Sequence, residues 1–227
     1  MAKRYFITST GTGIGKTYVT STLIRLARSK NMKVAAYKPV ISGFDKTEIV
    51  GSDTWQILAA LGEAPTEANV VRVSPWRFLA PLAPNMAAGA EGRALDCEAL
   101  FSFSRKVLDQ VDEASSQPSD LVLIEGVGGV MVPLDDERTV LDWIVAVGAP
   151  VVLVVGDYLG TISHTLTAVE VLKMRGVPIA AIVVSEGESG EVPLADTFRE
   201  LHARLAPLLV LPLRRGSKGD SLAPLLP

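Results

Sequence analysis

Residues that zinc and disulfide chemistry require are scarce in this chain. Its 227 residues include one cysteine, Cys97, and two histidines, His164 and His202. One cysteine cannot form an internal disulfide or build a zinc site alone, and it fits a reducing compartment. The patterns Cys-x-x-Cys, His-Glu-x-x-His and Gly-x-Ser-x-Gly are also absent from the sequence. These absences argue against zinc chemistry and serine hydrolysis.

Long hydrophobic runs and a basic charge excess are missing as well. The most apolar stretch, residues 144–156, is broken by Gly148 and Pro150 and is too short to cross a bilayer. Residues 1–6 contain no apolar signal core. The net charge of −3 and the isoelectric point near 5.5 argue against a nucleic-acid binder, which usually presents a basic face. We expect a cytoplasmic protein with no membrane and no nucleic-acid partner.

The composition is that of a folded chain with a large core. Hydrophobic residues make up 48% and charged residues 21% of the sequence, and no linker divides it. We therefore expect one domain over residues 1–227. The Gly, Ser and Pro residues of 216–227 predict a loosely ordered tail.

Short apolar runs alternate with longer segments of helical period. Continuous apolar runs are typical of strands that helices bury on both faces. The pattern predicts an α/β fold with a mainly parallel central sheet. The predicted strands are 5–8, 34–37, 121–125, 151–155, 179–184 and 208–211, and the predicted helices are 16–29, 53–61, 97–114, 162–175 and 194–205. Residues 72–93 contain several prolines and no clear period, which predicts a long functional loop or an edge.

A glycine-rich loop, Ser9-Thr-Gly-Thr-Gly-Ile-Gly-Lys-Thr17, lies between the first strand and the first helix. Glycines let several N–H groups converge, and the helix N-terminus adds positive potential, so the loop suits a polyphosphate. Lys16 would reach the β- and γ-phosphates, and the Thr17 hydroxyl would ligate Mg²⁺. Thr10 occupies the position of the first glycine in the usual pattern, so this is a variant P-loop. The alternative is a glycine-rich helix start with an exposed lysine.

Three charged residues follow or precede predicted elements. Lys38 follows the second strand and is held extended by Pro39, which places it at the ligand crevice of an open sheet. Glu125 ends a strand directly before the glycine-rich turn 126–129, which favours a Mg²⁺ ligand. Asp53 begins a helix. The alternatives are a solvated lysine, an ordinary strand-end acid and a helix N-cap.

The residues Gly160-Thr-Ile-Ser-His164 open a later helix after another strand. Their free N–H groups could bind a substrate carboxylate, although an ordinary helix start is equally consistent with this sequence. Both histidines lie on predicted helices without catalytic partners, and we expect packing or surface roles for them. Cys97 has no adjacent base and is expected to be inert.

Together these segments resemble the dethiobiotin synthetase family. The matching motifs occur in family order, to about residue 185: RYF at 4–6, the loop 9–17, YKPVISG at 37–43, GSD at 51–53, LIEGVGG at 123–129 and LGTI at 159–162. The resemblance implies a P-loop NTPase-like three-layer fold and a homodimer with active sites at the interface. It also implies that ATP and Mg²⁺ serve to carboxylate 7,8-diaminopelargonate with CO₂. A carbamate and a carbamic–phosphoric anhydride would precede ring closure to dethiobiotin.

The resemblance also implies roles for individual residues. Lys38 would hold the carbamate, with Lys16 and Thr12 in catalysis and Ser42 on the diamine. Gly160–Ser163 of the partner subunit would receive the substrate carboxylate. Nucleotide contacts would come from Gly13, Ile14, Gly15, Lys16, Thr17, Tyr18, Asp53, Glu125, Gly126, Val127, Gly128, Ser185 and Pro212; metal ligands would be Thr17, Asp53 and Glu125; and further substrate contacts would come from Gly128, Gly129, Val130, Gly160, Thr161, Ile162 and Ser163.

This chain departs from the family pattern at several places. Gly11 and Gly13 replace acidic loop residues, and Ser185 replaces an asparagine that reads the adenine edge. A serine can bond less of that edge than an amide can. Two alternatives stay open. One is a catalytically inactive relative, to which the changes at Gly13 and Ser185 point. The other is a regulatory P-loop ATPase of the ParA or MinD type, but proteins of that type carry a lysine where this chain has Gly11.

Overall fold

A six-stranded parallel sheet forms the central layer of the fold. The computed structural model describes residues 2–109, 118–188, 190 and 192–227. The strands are β1 Lys3–Ser9, β2 Val34–Tyr37, β3 Val40–Ser42, β4 Trp76–Phe78, β5 Leu121–Glu125, β6 Val151–Val155, β7 Ile179–Ser185 and β8 Val210–Leu213. The strand order is β2-β5-β1-β6-β7-β8, and β3 pairs with β4 in a small parallel sheet of its own.

Helices cover both faces of this sheet. They are α1 Lys16–Ser29, α2 Asp53–Leu61, α3 Glu67–Val73, α4 Pro84–Ala90, α5 Cys97–Asp109, α6 Val140–Val147, α7 Thr161–Met174 and α8 Leu194–Leu205. Successive strand residues point to opposite faces, so Tyr5 and Ile7 pack with α1 and α2, whereas Phe6 packs with α5 and α6. Two apolar cores result, which explains why most strands carry apolar residues at successive positions. The expected α/β class with a flanked parallel sheet is confirmed.

Local sequence signals set the helix ends that matter for the site. Gly15, with φ of 97°, precedes α1; this left-handed backbone is readily available to glycine. The Ser52 side chain accepts a hydrogen bond of 3.2 Å from the Trp55 N–H and so caps α2. Asp53 is therefore the first helical residue and not the cap, which leaves its carboxylate available.

The structure corrects several expected boundaries. Residues 72–93 are not one long loop, because they contain the end of α3, strand β4 and helix α4. Helix α4 begins at Pro84, a first-turn position where the missing N–H costs nothing. The last strand covers Val210–Leu213 instead of 208–211, and it tolerates Pro212 because it is an edge strand. Helix α6 was missed because seven of its eight residues are apolar, and such a run looks equally like a buried strand.

The expected loose tail is also corrected. Residues Asp220–Leu225 form a 3₁₀ helix. Its Leu222 and Leu225 side chains are buried in the α1-side core, and that burial holds the chain end in place. The expected helix 97–114 is observed as Cys97–Asp109, and residues 110–114 lie outside the described residues. Of the helices that the structure describes, none is both long enough and apolar enough to cross a membrane.

Candidate active site

A cleft of about 680 Å³ opens at the carboxyl ends of the central strands. This is the edge at which open α/β sheets bind ligands. The cleft brings together many residues that were expected to act in one site. Those that line it are Thr12, Gly13, Gly15, Lys16, Thr17, Tyr18, Lys38, Ser42, Asp53, Val127 and Gly128.

The glycine-rich loop is held by its neighbours on the sheet. The Thr10 N–H donates to the Val154 carbonyl at 3.2 Å, and the Val130 N–H donates to the Ser9 carbonyl at 3.1 Å. Gly129 lies so close that a Cβ on it would be 3.1 Å from the Thr10 carbonyl oxygen. The turn 126–129 therefore packs directly against the loop, and a side chain at position 129 would crowd the Thr10 backbone.

Lys16 is a buried cation whose partners are neutral oxygens. Its Nζ donates to the Gly128 carbonyl at 2.8 Å, to Ser9 Oγ at 3.0 Å and to the Gly11 carbonyl at 3.2 Å. Burial, and after it repulsion from Lys38, lower the pKa of Lys16 to about 8. A charge in this state gains when an anion enters the cleft. The alternative of an exposed lysine at a helix start is wrong, since Lys16 is 7% exposed.

Lys38 sits between two carboxylates and is buried. Its Nζ lies 2.8 Å from Glu125 Oε1, 3.0 Å from Asp53 Oδ2 and 3.0 Å from the Gly126 carbonyl. Burial alone would lower the pKa of Lys38, but Glu125 and Asp53 outweigh it and raise that pKa. Lys38 therefore stays charged, and it is not a solvated strand-end lysine, because its side chain is 3% exposed.

The residues expected to hold magnesium fit a hard cation. Thr17 Oγ1 donates to Glu125 Oε1 at 2.7 Å, and Glu125 Oε2 is buried with no hydrogen-bond partner among the described residues. Burial would raise the pKa of Asp53, but Lys38 outweighs it and lowers that pKa, so Asp53 remains ionised. Hydroxyl and carboxylate oxygens are the ligands that Mg²⁺ prefers.

These oxygens supply only part of a magnesium coordination shell. In the parts of the chain that the structure describes, no three or more His, Cys, Asp or Glu residues cluster at metal-binding distance. Phosphate oxygens and water would have to complete the shell, as is usual for Mg²⁺.

The expected substrate-binding residues fall into two groups. Ser42 borders the cleft, and its Oγ is buried without a hydrogen-bond partner among the described residues. Thr12 is exposed at the cleft wall. Gly160–Ser163 open α7 and do not line this cleft in the single chain. The Thr161 hydroxyl there donates to the Gly156 carbonyl at 2.8 Å and so anchors the helix start.

The two residues expected to read the adenine base lie off the cleft. Ser185 ends β7 and is 2% exposed, and a Cβ on Gly15 would be 2.6 Å from its Oγ. Pro212 borders a separate cavity of about 340 Å³. Tyr18 and Arg215 line the cleft instead. Arg215 was missed because the predicted end of β8 was two residues too early, so this basic residue was not recognised as following a strand.

Other cleft residues also went unrecognised in the sequence. Ser9 and the carbonyl of Gly11 hold Lys16, and residues 81–84 form part of the rim. The local signal for the rim was the proline pair Pro81 and Pro84 within a stretch that we expected to carry function.

The three residues expected to be inert have packing or surface roles. His164 Nδ1 is paired with the Tyr158 hydroxyl at 2.8 Å, and His202 stacks on Phe198 at 5.5 Å between ring centroids. Cys97 is buried, and that burial is the largest effect raising the pKa of its thiol to about 12. A thiol of this kind is a poor nucleophile at neutral pH.

Comparison with known proteins gives a consistent assignment. A family described as an AAA domain matches residues 3–211. The ATP-dependent dethiobiotin synthetase BioD of Phenylobacterium zucineum is 45% identical over 92% of this chain and 88% of that protein. The protein of the same name from Caulobacter vibrioides strain NA1000 / CB15N is 50% identical over 81% of this chain and 80% of its own length. BioD 1 of Escherichia coli K12 is 34% identical over 82% of this chain and 79% of its own length.

Solved structures resemble the chain at the level of fold. The cell division protein FtsY of Thermotoga maritima aligns with a TM-score of 0.57 at 12% identity, covering 97% of this chain and 64% of FtsY. The chain thus spans less than two thirds of that protein. The septum site-determining protein MinD of Pyrococcus horikoshii, complexed with Mg-ADP, aligns with a TM-score of 0.51 at 16% identity, covering 93% and 82%.

Proposed function

Since the chain belongs to the dethiobiotin synthetase family, we propose that its cleft binds ATP beside a diamine and closes a cyclic urea. The activity is that of an ATP-dependent cyclo-ligase in biotin biosynthesis. The substrates in this proposal are 7,8-diaminopelargonate and CO₂. One amine of the diamine adds CO₂ to give a carbamate, and ATP phosphorylates the carbamate to a carbamic–phosphoric anhydride. The second amine then attacks the carbonyl carbon, which closes the ring and releases phosphate.

Lys16 and the loop carry the phosphoryl-transfer half of this proposal. Phosphoryl transfer depends mainly on positioning and on charge stabilisation. The Lys16 ammonium, held only by neutral oxygens, is free to neutralise the β- and γ-phosphates. When bound, Mg²⁺ would add further neutralisation of phosphate charge, and Thr17, Asp53 and Glu125 would hold it. The loop N–H groups would cradle the remaining phosphate oxygens.

Lys38 carries the carbamate half. Its charged state is secured by Glu125 and Asp53, so it can attract the carbamate anion and neutralise it as the anhydride forms. Ser42 Oγ, which has no partner among the described residues, is a hydrogen-bonding group at the same wall of the cleft. The Thr12 hydroxyl is placed on the loop side. In this proposal Lys38, directly after β2, and Ser42, at the end of β3, contact the carbamate and the diamine.

The start of α7 supports a dimeric site. Gly160–Ser163 lie outside the cleft of their own chain, and Gly160 and Ser163 are exposed there at the start of the helix, where first-turn N–H groups lack partners within the helix. We propose that in a homodimer Gly160–Ser163 of the partner subunit receive the substrate carboxylate. A reducing cytoplasm is the setting that the single buried thiol fits.

One observation carries this proposal: two buried lysines, one paired with carboxylates and one held only by neutral oxygens, meet in a single cleft. The test is phosphate release from Mg·ATP and bicarbonate, with and without 7,8-diaminopelargonate, with mass spectrometry for the cyclic urea. We expect release that depends on the diamine, together with that product. Release that ignores the diamine would contradict the proposal and favour a regulatory P-loop ATPase.

A further inference from the structure

The Lys16 ammonium has three N–H groups, and three protein oxygens lie within hydrogen-bond distance of its nitrogen. Its Nζ is 2.8 Å from the Gly128 carbonyl oxygen, 3.0 Å from Ser9 Oγ and 3.2 Å from the Gly11 carbonyl oxygen. Gly128 belongs to the lining of the cleft, whereas Gly11 borders a different cavity of about 350 Å³ and Ser9 is fully buried. Ser9 and Gly11 thus hold the ammonium from behind, and Gly128 holds it from the cleft side.

Ser9 is the side chain among these three contacts, and it also fixes one of the two carbonyls. Ser9 Oγ donates its proton to the Gly11 carbonyl at 2.5 Å, and it accepts the Lys16 N–H and, at 3.3 Å, the Gly11 N–H. The Gly128 carbonyl lies farther from Oγ, at 3.1 Å. Two of the three oxygens around Lys16 therefore depend on this hydroxyl, one directly and one through the Gly11 carbonyl.

The backbone of Ser9 is fixed by the sheet. Ser9 is the last residue of β1 and is paired with Val154 of β6, and its carbonyl accepts the Val130 N–H at 3.1 Å. Groups on a strand are held more precisely than groups on a loop. Of the three partners of Lys16, Ser9 is therefore the one that can keep the ammonium in a defined place when a ligand enters the cleft.

We propose that Ser9 is a positioning residue for phosphoryl transfer. It holds the Lys16 ammonium from behind while the cleft-side N–H passes from the Gly128 carbonyl to a phosphate oxygen. This inference rests on the proposed function, because it presupposes that ATP occupies the cleft. The phosphate then replaces one neutral oxygen, and the other two contacts keep the positive charge where the transferring phosphoryl group needs it.

Loss of the Ser9 hydroxyl should affect turnover more than binding. The hydroxyl contacts the ammonium with and without a ligand, so its removal changes ATP affinity little, but a misplaced charge is costly in the transition state. We expect Ser9→Ala to lower the kcat of diamine-dependent phosphate release about 10–100-fold. The KM for ATP and the Kd of Mg·ATP from calorimetry should each stay within about threefold of the values for the unmodified protein.

Two further variants separate hydrogen bonding from packing. Ser9→Cys keeps nearly the same volume, but a thiol is a weak donor and a weak acceptor. Under reducing conditions it should lose turnover as Ser9→Ala does. Ser9→Thr keeps the hydroxyl, and a β-branched residue suits a strand, so it should retain most of the turnover. The melting temperature of every variant is measured alongside.

Thr8→Val is the matched control. Thr8 precedes Ser9 on β1 and points to the opposite face of the sheet. It is fully buried, and its Oγ1 has no hydrogen-bond partner among the described residues. The substitution removes a buried hydroxyl from the same strand at nearly constant volume. We expect its kcat, KM and Kd to equal those of the unmodified protein.

Four results would overturn the inference. Normal turnover in Ser9→Ala or Ser9→Cys would show that the hydroxyl does not position Lys16, and an equal loss in Thr8→Val would remove the assignment to one residue. A parallel loss of ATP affinity in Ser9→Ala would make Ser9 a support for binding. Lost turnover in Ser9→Thr at an unchanged melting temperature would show that the hydroxyl is not what matters; if that melting temperature falls, Ser9→Cys decides. Phosphate release that ignores the diamine in the unmodified protein would instead overturn the proposed function, which keeps the two failures distinct.

Discussion

Replacement of Lys38 by methionine tests the charge balance of the cleft. The substitution keeps most of the buried stem and removes the ammonium that contacts Glu125 and Asp53. Glu125 is fully buried, so its carboxylate would lose its nearest positive partner at a place where little water can replace it. Breaking a buried ion pair from one side usually costs about 3–5 kcal/mol.

The expected loss of stability in Lys38→Met depends on how exposed the carboxylates of Asp53 and Glu125 are. The Asp53 side chain is 38% exposed, so water screens its part of the interaction. Glu125 therefore dominates, and we expect a loss near the lower limit, about 3 kcal/mol. For a protein of this size that corresponds to a melting temperature about 6–12 °C lower in the absence of ligands. Lys30→Met, at an exposed lysine, is the control and should change little.

Two further measurements on Lys38→Met test the same account, its stabilisation by Mg²⁺ and its catalytic turnover. Mg²⁺ alone should stabilise Lys38→Met more than the unmodified protein, because it can offset the two carboxylates that the lysine no longer neutralises. Ring closure should be lost in this variant, while ATP binding should persist through Lys16 and the loop. Unchanged stability in the absence of Mg²⁺, equal Mg²⁺ stabilisation of both proteins, or normal turnover would each refute this account of Lys38.

The remaining predictions concern packing and helix capping. Gly129→Ala should cost about 1–3 kcal/mol and weaken nucleotide binding, because its Cβ would lie 3.1 Å from the Thr10 carbonyl oxygen. Gly89→Ala has open space around it and should stabilise the protein by about 0.5–1 kcal/mol in urea unfolding. A Gly129→Ala variant more stable than Gly89→Ala would contradict the packing of the turn against the loop. Burial would raise the pKa of Asp142, but its hydrogen bonds with Thr139 and with the Arg175 guanidinium outweigh it and lower that pKa. A lowered carboxyl pKa stabilises the fold at neutral pH, and this contribution disappears as the pH falls through that pKa. Asp142→Ala should thus cost about 1 kcal/mol at pH 7 and clearly less below about pH 4, and a cost independent of pH would count against the capping box.

Local sequence signals predicted most of the sheet and the main helices correctly. The bounds of α1, α2 and α8 follow from side-chain periodicity and from cap residues such as Ser52, and these are short-range effects. The sequence signals failed where one local pattern is compatible with two kinds of structure. Helix α6 is as apolar as a strand, and the edge strand β8 contains a proline that argues for a loop elsewhere.

In the candidate site, too, local sequence signals were sufficient for some residues, whereas others depend on contacts between distant elements. Lys16 and Thr17 are adjacent in the chain and follow a recognisable loop, so the sequence alone was enough to place them together in the candidate site. The contact between Lys38 and Glu125 depends on the pairing of β2 with β5, whose register places Tyr37 opposite Ile124 and the next residues side by side. Residue types predicted both members, but only the parallel pairing brought them to 2.8 Å.

Which residues border the cleft beside Tyr18 was decided by tertiary structure. Ser185 and Pro212 were placed there by their positions in the chain, and folding turned one against Gly15 and the other toward a separate cavity. Arg215 reaches the cleft because contacts with Tyr18 and Glu186, each more than 25 residues away in the chain, hold its turn. Sequence determines what lies within a few residues through backbone and capping energies, whereas the direction of a side chain at a sheet edge depends on packing between elements that are distant in the chain.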